Sequence, residues 1–335
     1  MTLLRQNEKV VLLIYVILAL IMLCVSLYLA TSIQNTTKTL ISNKIHVIHC
    51  GGVIEEDFKE KYAKNADKIA QFDINTYNPL ISSSTIVPSD WNNIATDILN
   101  YYDNYDGFII ICETDIVTYT ASALAFMLEN LNKPVLLTDS HLTDAMILIS
   151  QTKIPEVMIL SQDKLLRGCR TIVNSKKQFE SPNYPSLNIK NALIPENKVI
   201  GIKYINPNIN IILIKVFPGM DSKYLSGLTT NNKIHAIVFE IYSSGNVPLD
   251  NNILDVINAL YKKGIIMIAV LQSNTNQQNI DIQLLQAGVI SGGDMTSEAA
   301  FTKLHFLLGN VEDTKIIEKL IEQPLRGEML SLIHI

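Results

Sequence analysis

The sequence predicts an α/β protein of two domains behind a single transmembrane helix, and three observations carry that expectation. Short apolar runs alternate with segments of helical period, the alternation restarts after Asn206-Pro207-Asn208, and an uncharged apolar run stands near the amino terminus. Strands of a parallel sheet are buried on both faces and read as continuous Val/Ile/Leu runs, whereas the helices that cross between them keep a 3.6-residue period. The 335 residues suit two domains of about 100 to 200 residues each.

The elements follow in chain order. Residues 1–9 are a short tail carrying Arg5, Glu8 and Lys9. Val10 to Ala30 holds 21 residues without a charge, and a helix of that length, rising about 1.5 Å per residue, spans a hydrocarbon core of about 30 Å. Tyr15 and Tyr28 stand toward its ends, where amphipathic rings favour the headgroup layer. A cleaved signal peptide would carry a shorter apolar region of about 7 to 15 residues and a small-x-small ending, which Tyr28-Leu29-Ala30 does not supply. Arg5 and Lys9 lie close before the run, which predicts a cytosolic amino terminus and a globular part facing the lumen or exterior. Residues 31–44 read as a solvated stalk, with Asn35-Thr36-Thr37 a glycosylation sequon at Asn35.

Beyond the stalk, the apolar runs are IHVIHC (45–50), FDINTYN (72–78), GFIIIC (107–112), PVLLT (134–138) and EVMILS (156–161). Between the second and third, Trp91, Ile94, Ala95, Ile98, Leu99 and Tyr102 share one helical face, with Ser89 as the expected N-cap. The second alternation comprises NIILIKVF, HAIVFEIY, a helix around Leu254 to Lys263 and GIIMIAVLQ. A boundary near residues 195–210 divides the soluble part into units over 45–200 and 201–335. Gly292-Gly293-Asp294-Met295-Thr296 reads as a strand-to-helix turn, with Asp294 or Thr296 capping the helix that follows.

Composition narrows the function. A net charge of −5 and no Lys/Arg block argue against a nucleic-acid partner. Four cysteines without CxxC or Cys/His spacing predict neither a disulfide framework nor a metal centre, and nothing calls for a cofactor. Ligands of parallel sheets sit beyond the carboxyl ends of the strands. The residues there are His49-Cys50-Gly51-Gly52-Val53, Ser82-Ser83-Ser84, Cys112-Glu113-Thr114-Asp115 and Asp139-Ser140-His141.

Seven stretches carry a resemblance: CGGVI (50–54), NPLISSSTIVPSDWNNIATDI (78–98), YDGFIIICETDIVTYTASALAFMLENLNKPVLLT (105–138), LLRGCRT (165–171), SPNYPSL (181–187), GVISGGDMTSEAAFTKLHFLL (288–308) and LRGE (325–328). Through them the chain resembles the type I L-asparaginases, the bacterial cytoplasmic-type class of threonine-dependent amidohydrolases. The resemblance implies a larger amino-terminal parallel-sheet α/β domain, a smaller carboxyl-terminal α/β domain, and homodimers that pair into homotetramers. It also implies site residues. Thr114 and Asp115 match two members of a Thr-Lys-Asp triad, Ser83 the serine that holds a substrate α-carboxylate, Asp115 the aspartate that holds its α-ammonium, and Tyr62 a mobile lid tyrosine.

The same resemblance marks departures. Val53 stands where the family's first motif places its nucleophilic Thr, and Val173 where the triad lysine falls. His-Gly before Thr-Asp becomes Cys112-Glu113, and a loop carrying Arg-Ser-Asp-Gly is largely deleted between Ser140 and Thr152. The strands ending at Cys50 and Cys112 are neighbours in the family fold, about 4.8 Å apart, a spacing that admits a disulfide in an oxidising lumen. The expected function is a membrane-anchored, asparaginase-like pseudoenzyme that binds an amino-acid ligand or a protein partner. The alternative is an active amidohydrolase, turning L-asparagine into L-aspartate and ammonia with a rearranged site.

Overall fold

The computed structural model describes residues 20–28, 44–65, 70–162, 164–182, 184–230, 233–248, 251–273 and 280–330. The first sheet holds β1 (Lys44–His49), β2 (Gln71–Thr76), β3 (Gly107–Ile111), β4 (Val135–Thr138), β5 (Val157–Ser161) and β6 (Lys164–Arg167), in spatial order β2-β1-β3-β4-β5-β6. All neighbours are parallel except the β5–β6 hairpin. The chain leaves β1 to one side for β2 and returns on the other side for β3, so the strand order reverses between β1 and β3. A crevice opens at such a reversal because the crossovers on either side of it cover opposite faces of the sheet.

Helices fill both faces. α1 (Phe58–Lys64) and α4 (Leu142–Gln151) pack on one, α2 (Pro88–Tyr101) and α3 (Thr114–Met127) on the other. The expected helical face is present, with Trp91, Ile94, Ala95 and Ile98 buried. Its cap differs from expectation: the helix starts at Pro88, and Val87 N–H donates to Asp90 Oδ2 at 2.9 Å. Proline's missing N–H costs nothing in a first turn, where that group would lack an intrahelical partner anyway, so Ser89 lies inside the helix.

The second sheet, β7 (Ile211–Lys215), β8 (Ala236–Ile241), β9 (Ile266–Leu271) and β10 (Val289–Ser291), is fully parallel. α5 (Asn251–Lys262) covers one face, and α6 (Ser297–Asn310) with α7 (Thr314–Ile321) the other. Thr296 caps α6 by accepting Ala299 N–H at 3.1 Å. Asp294 instead pairs with Arg170 at 2.8 Å, both buried. α3 and α6 join the domains through Ser122 Oγ and Thr302 Oγ1, 2.7 Å apart, and an edge-on Tyr119–Phe301 ring pair. The LRGE stretch (325–328) forms a clasp: Arg326 donates to the Ala125 carbonyl, Gly327 accepts from Arg170 Nε, and Glu328 meets Lys303 Nζ at 2.6 Å.

Of the expected transmembrane run Val10–Ala30, residues 20–28 are described, as a helix with every residue exposed. The rest of that run, the tail, stalk residues 31–43 and the Asn35 sequon lie outside the described residues. Among the described residues no helix is long and apolar enough to cross a membrane. The expected localisation, a cytosolic amino terminus with the globular part lumenal or extracellular, is corrected on that finding.

Candidate functional site

The crevice at the β1–β3 reversal is built from four strand ends. Cys50 and Gly51 both donate backbone N–H bonds to the Ile111 carbonyl, at 3.1 and 3.0 Å, so the chain leaving β1 folds across the end of β3. Gly51 and Gly52 are required there. A Cβ on Gly51 would lie 2.4 Å from the Ile81 carbonyl oxygen, and one on Gly52, whose φ is +75°, would lie 2.6 and 2.7 Å from the carbonyl oxygens of Cys112 and Asp139. Gly52 thereby passes between the ends of β3 and β4 and delivers Val53, whose N–H reaches the Asp139 carbonyl at 3.3 Å and which is 66% exposed.

Thr114 opens α3 and donates its Oγ1 hydrogen to Asp139 Oδ2 at 2.7 Å, while Ser140 Oγ donates to Asp139 Oδ1 at 3.1 Å. Glu113, the N-cap residue, reaches the other way: its Oε2 accepts the Ser83 backbone N–H at 2.8 Å. The Ser83 amide and then its hydroxyl hold the Glu113 carboxyl below the usual carboxylate range. Beside this bond, Ser82 Oγ lies 2.7 Å from Ser84 Oγ. Asp115 is exposed on the first turn of α3. The ion pairs of the described residues lie elsewhere, none involving Glu113, Asp115 or Asp139.

Val53, Ser83 and Thr114 stand at these strand ends, with Asp115 on the first turn of α3. The crevice does not gather Tyr62, whose ring on α1 packs against Phe58 and Phe72 at 6.1 and 5.0 Å. Val173 sits in a two-residue ribbon with Phe179 and packs against the core below the first sheet. Cys50 and Cys112 are free thiols, buried, with their sulfurs 3.2 Å apart. The bond from Cys50 and burial raise the Cys112 thiol well above its ordinary pKa, and burial pushes Cys169 up to about 12. Neither therefore offers the thiolate that a cysteine nucleophile needs. Among the described residues no group of three or more His, Cys, Asp or Glu could hold a metal.

Sequence reasoning placed Asp139 at a strand end and gave it no role. Its partner, Thr114, lies beyond the end of the preceding strand, so only the register of β3 against β4 brings the two together.

Residues 44–198 match the family described as Asparaginase, N-terminal, and residues 210–321 the Glutaminase/Asparaginase C-terminal domain. L-asparaginase 1 of Escherichia coli (strain K12) is 34% identical over 293 residues, 78% of this chain and 86% of that protein. The crystal structure of L-asparaginase I from Vibrio cholerae superposes with a TM-score of 0.78 at 31% identity, covering 86% of this chain and 99% of that one. A structure described as a probable cytoplasmic L-asparaginase from Campylobacter jejuni covers 84% and 100%, with a TM-score of 0.68; at 18% identity that likeness speaks to the fold alone.

Proposed function

The chain belongs to the asparaginase family, and from that premise we propose that it retains the fold and the crevice without the family's hydrolytic chemistry. It acts by binding, either a small amino-acid ligand in the crevice or a protein partner presented to a homodimer or homotetramer. The observation that carries this reading is Val53. The Gly51-Gly52 turn delivers it to the crevice with its side chain exposed, at the place where the resemblance expects a nucleophilic hydroxyl, and an isopropyl group has no lone pair. Val173 supplies no amine, being an aliphatic residue packed on the core. Removing one member of a unit that acts together commonly lowers turnover by roughly 10⁴ to 10⁶, about 5 to 8 kcal/mol, with little further loss for the next.

A second reading, an amidohydrolase working through Thr114, is favoured by the hydrogen bond from Thr114 to Asp139. Magnitude weighs against it. A carboxylate and an aliphatic hydroxyl differ in basicity by on the order of ten pH units, so complete proton transfer costs about 14 kcal/mol. Such an acceptor orients the hydroxyl without making it an alkoxide.

The test is restoration. Ammonia release from L-asparagine is expected to rise at least a hundredfold in the Val53→Thr/Val173→Lys double variant over wild type. A wild-type protein that already matches the double variant would show that hydrolysis never depended on those two positions, and the reading would fail.

A further inference from the structure

Backbone amides at a loop tip are ready donors to an anion, and a crevice at a strand-order reversal is where a ligand of such a sheet is held. In this crevice the Ser83 amide already has an anionic acceptor, the side-chain carboxylate of Glu113, 2.8 Å away and supplied from beyond the end of β3. Glu113 is only partly buried and forms no capping bond to its own helix, so nothing in α3 holds its side chain in that direction. Among the described residues its side chain is hydrogen-bonded to the loop.

We propose that Glu113 is an internal ligand: its carboxylate occupies the anion seat formed by the Ser82-Ser83-Ser84 loop, and the crevice admits a free small carboxylate only once Glu113 is displaced. The inference rests on the crevice being a binding site and specifies what that site refuses. A tethered carboxylate competes at an effective concentration in the millimolar range, so weakly bound carboxylates are excluded at ordinary levels. The depressed pKa of Glu113 agrees with a seat that favours the ionised form. The carboxylates of Asp115 and Asp139 add repulsion toward an incoming anion, since no ion pair among the described residues neutralises them.

The experiment combines two readouts on the full chain, with wild type, Glu113→Gln and Glu113→Ala compared. L-aspartate titrated calorimetrically is expected to bind at least tenfold more tightly to Glu113→Ala than to wild type, with Glu113→Gln between them. Hydrogen exchange at the Ser83 amide is expected to be slow in wild type and at least tenfold faster in Glu113→Ala without aspartate, slowing again when aspartate is added. Unchanged exchange in Glu113→Ala would overturn the internal-ligand assignment. Faster exchange with no gain in aspartate binding would overturn the anion seat. Ammonia release by the wild type, the failure of the non-hydrolytic reading, is a separate signal that moves neither readout.

Discussion

At Val53 two chemistries differ by one atom type at nearly constant volume, so the consequence falls on reactivity and hardly on folding. The side chain is exposed, and threonine fits there without burying a hydroxyl. Val53→Thr alone is expected to unfold at the wild-type denaturant midpoint and to release little ammonia, because the amine at position 173 is still missing. Gly52 is the opposite case. Gly52→Ala forces a Cβ against two backbone oxygens at φ +75°, and the left-handed conformation itself costs about 1 to 2 kcal/mol for an L-residue. A loss of at least about 2 kcal/mol in urea unfolding is expected; an unchanged midpoint would mean that the turn can relax. The two valines were legible in the sequence through the resemblance, whose motifs run up to both positions. The bonds Ser83–Glu113 and Thr114–Asp139 were not. Their partners stand 30 and 25 residues apart and meet only through loop conformation and strand register.

Among the elements, α6 carries the joint between the domains. Thr296→Ala removes its cap and is expected to cost about 1 kcal/mol in unfolding. Lys303 is a larger matter. Its ammonium and Glu328 are both fully buried and 2.6 Å apart, and Nζ also donates to the carbonyls of Ile321 and Gln323. Lys303→Met strands a buried carboxylate and is expected to cost about 3 to 5 kcal/mol, whereas Lys303→Met with Glu328→Leu should recover part of that loss. If the double variant is no more stable than the single one in the same denaturation assay, the pair is not what holds the clasp. The interior parallel strands β1, β3, β4, β5, β8 and β9 were legible because burial on both faces leaves predominantly apolar runs. β6 and the two-residue ribbon of Ile172–Val173 with Phe179–Glu180 were not: they are short, and β6 (KLLR) begins and ends on charged residues. The start of α2 was misplaced because a side-chain cap was sought at Ser89, where proline and Asp90 do the work from either side.

For the molecule as a whole, two buried histidines set an acid limit. Burial pushes His305 down to about 4, with repulsion from His235 adding to it, and burial also lowers His46, whose ring lies tilted against those of Tyr101 and Tyr105 with neither nitrogen hydrogen-bonded. Both are neutral when folded and take up protons near pH 6.5 when unfolded. The unfolded chain therefore binds more protons below that pH. Stability is complete above about 6.5 and falls as pH drops toward the folded pKa, by about 2 kcal/mol at pH 5 for His305. His305→Gln is expected to flatten that slope in denaturant titrations between pH 7.5 and 5; an unaltered slope would assign the loss to other groups. At this scale the two-domain architecture was legible and the cellular placement was not: hydropathy counts apolar residues, and among the described residues no helix is long and apolar enough to cross a membrane.

The decisive quantity is ammonia released from L-asparagine by the purified full-length wild-type chain at high protein concentration. Release no faster than in a protein-free control is the expected result. Sustained release that disappears in Thr114→Ala would show that the threonine beside Asp139 performs the chemistry denied to Val53.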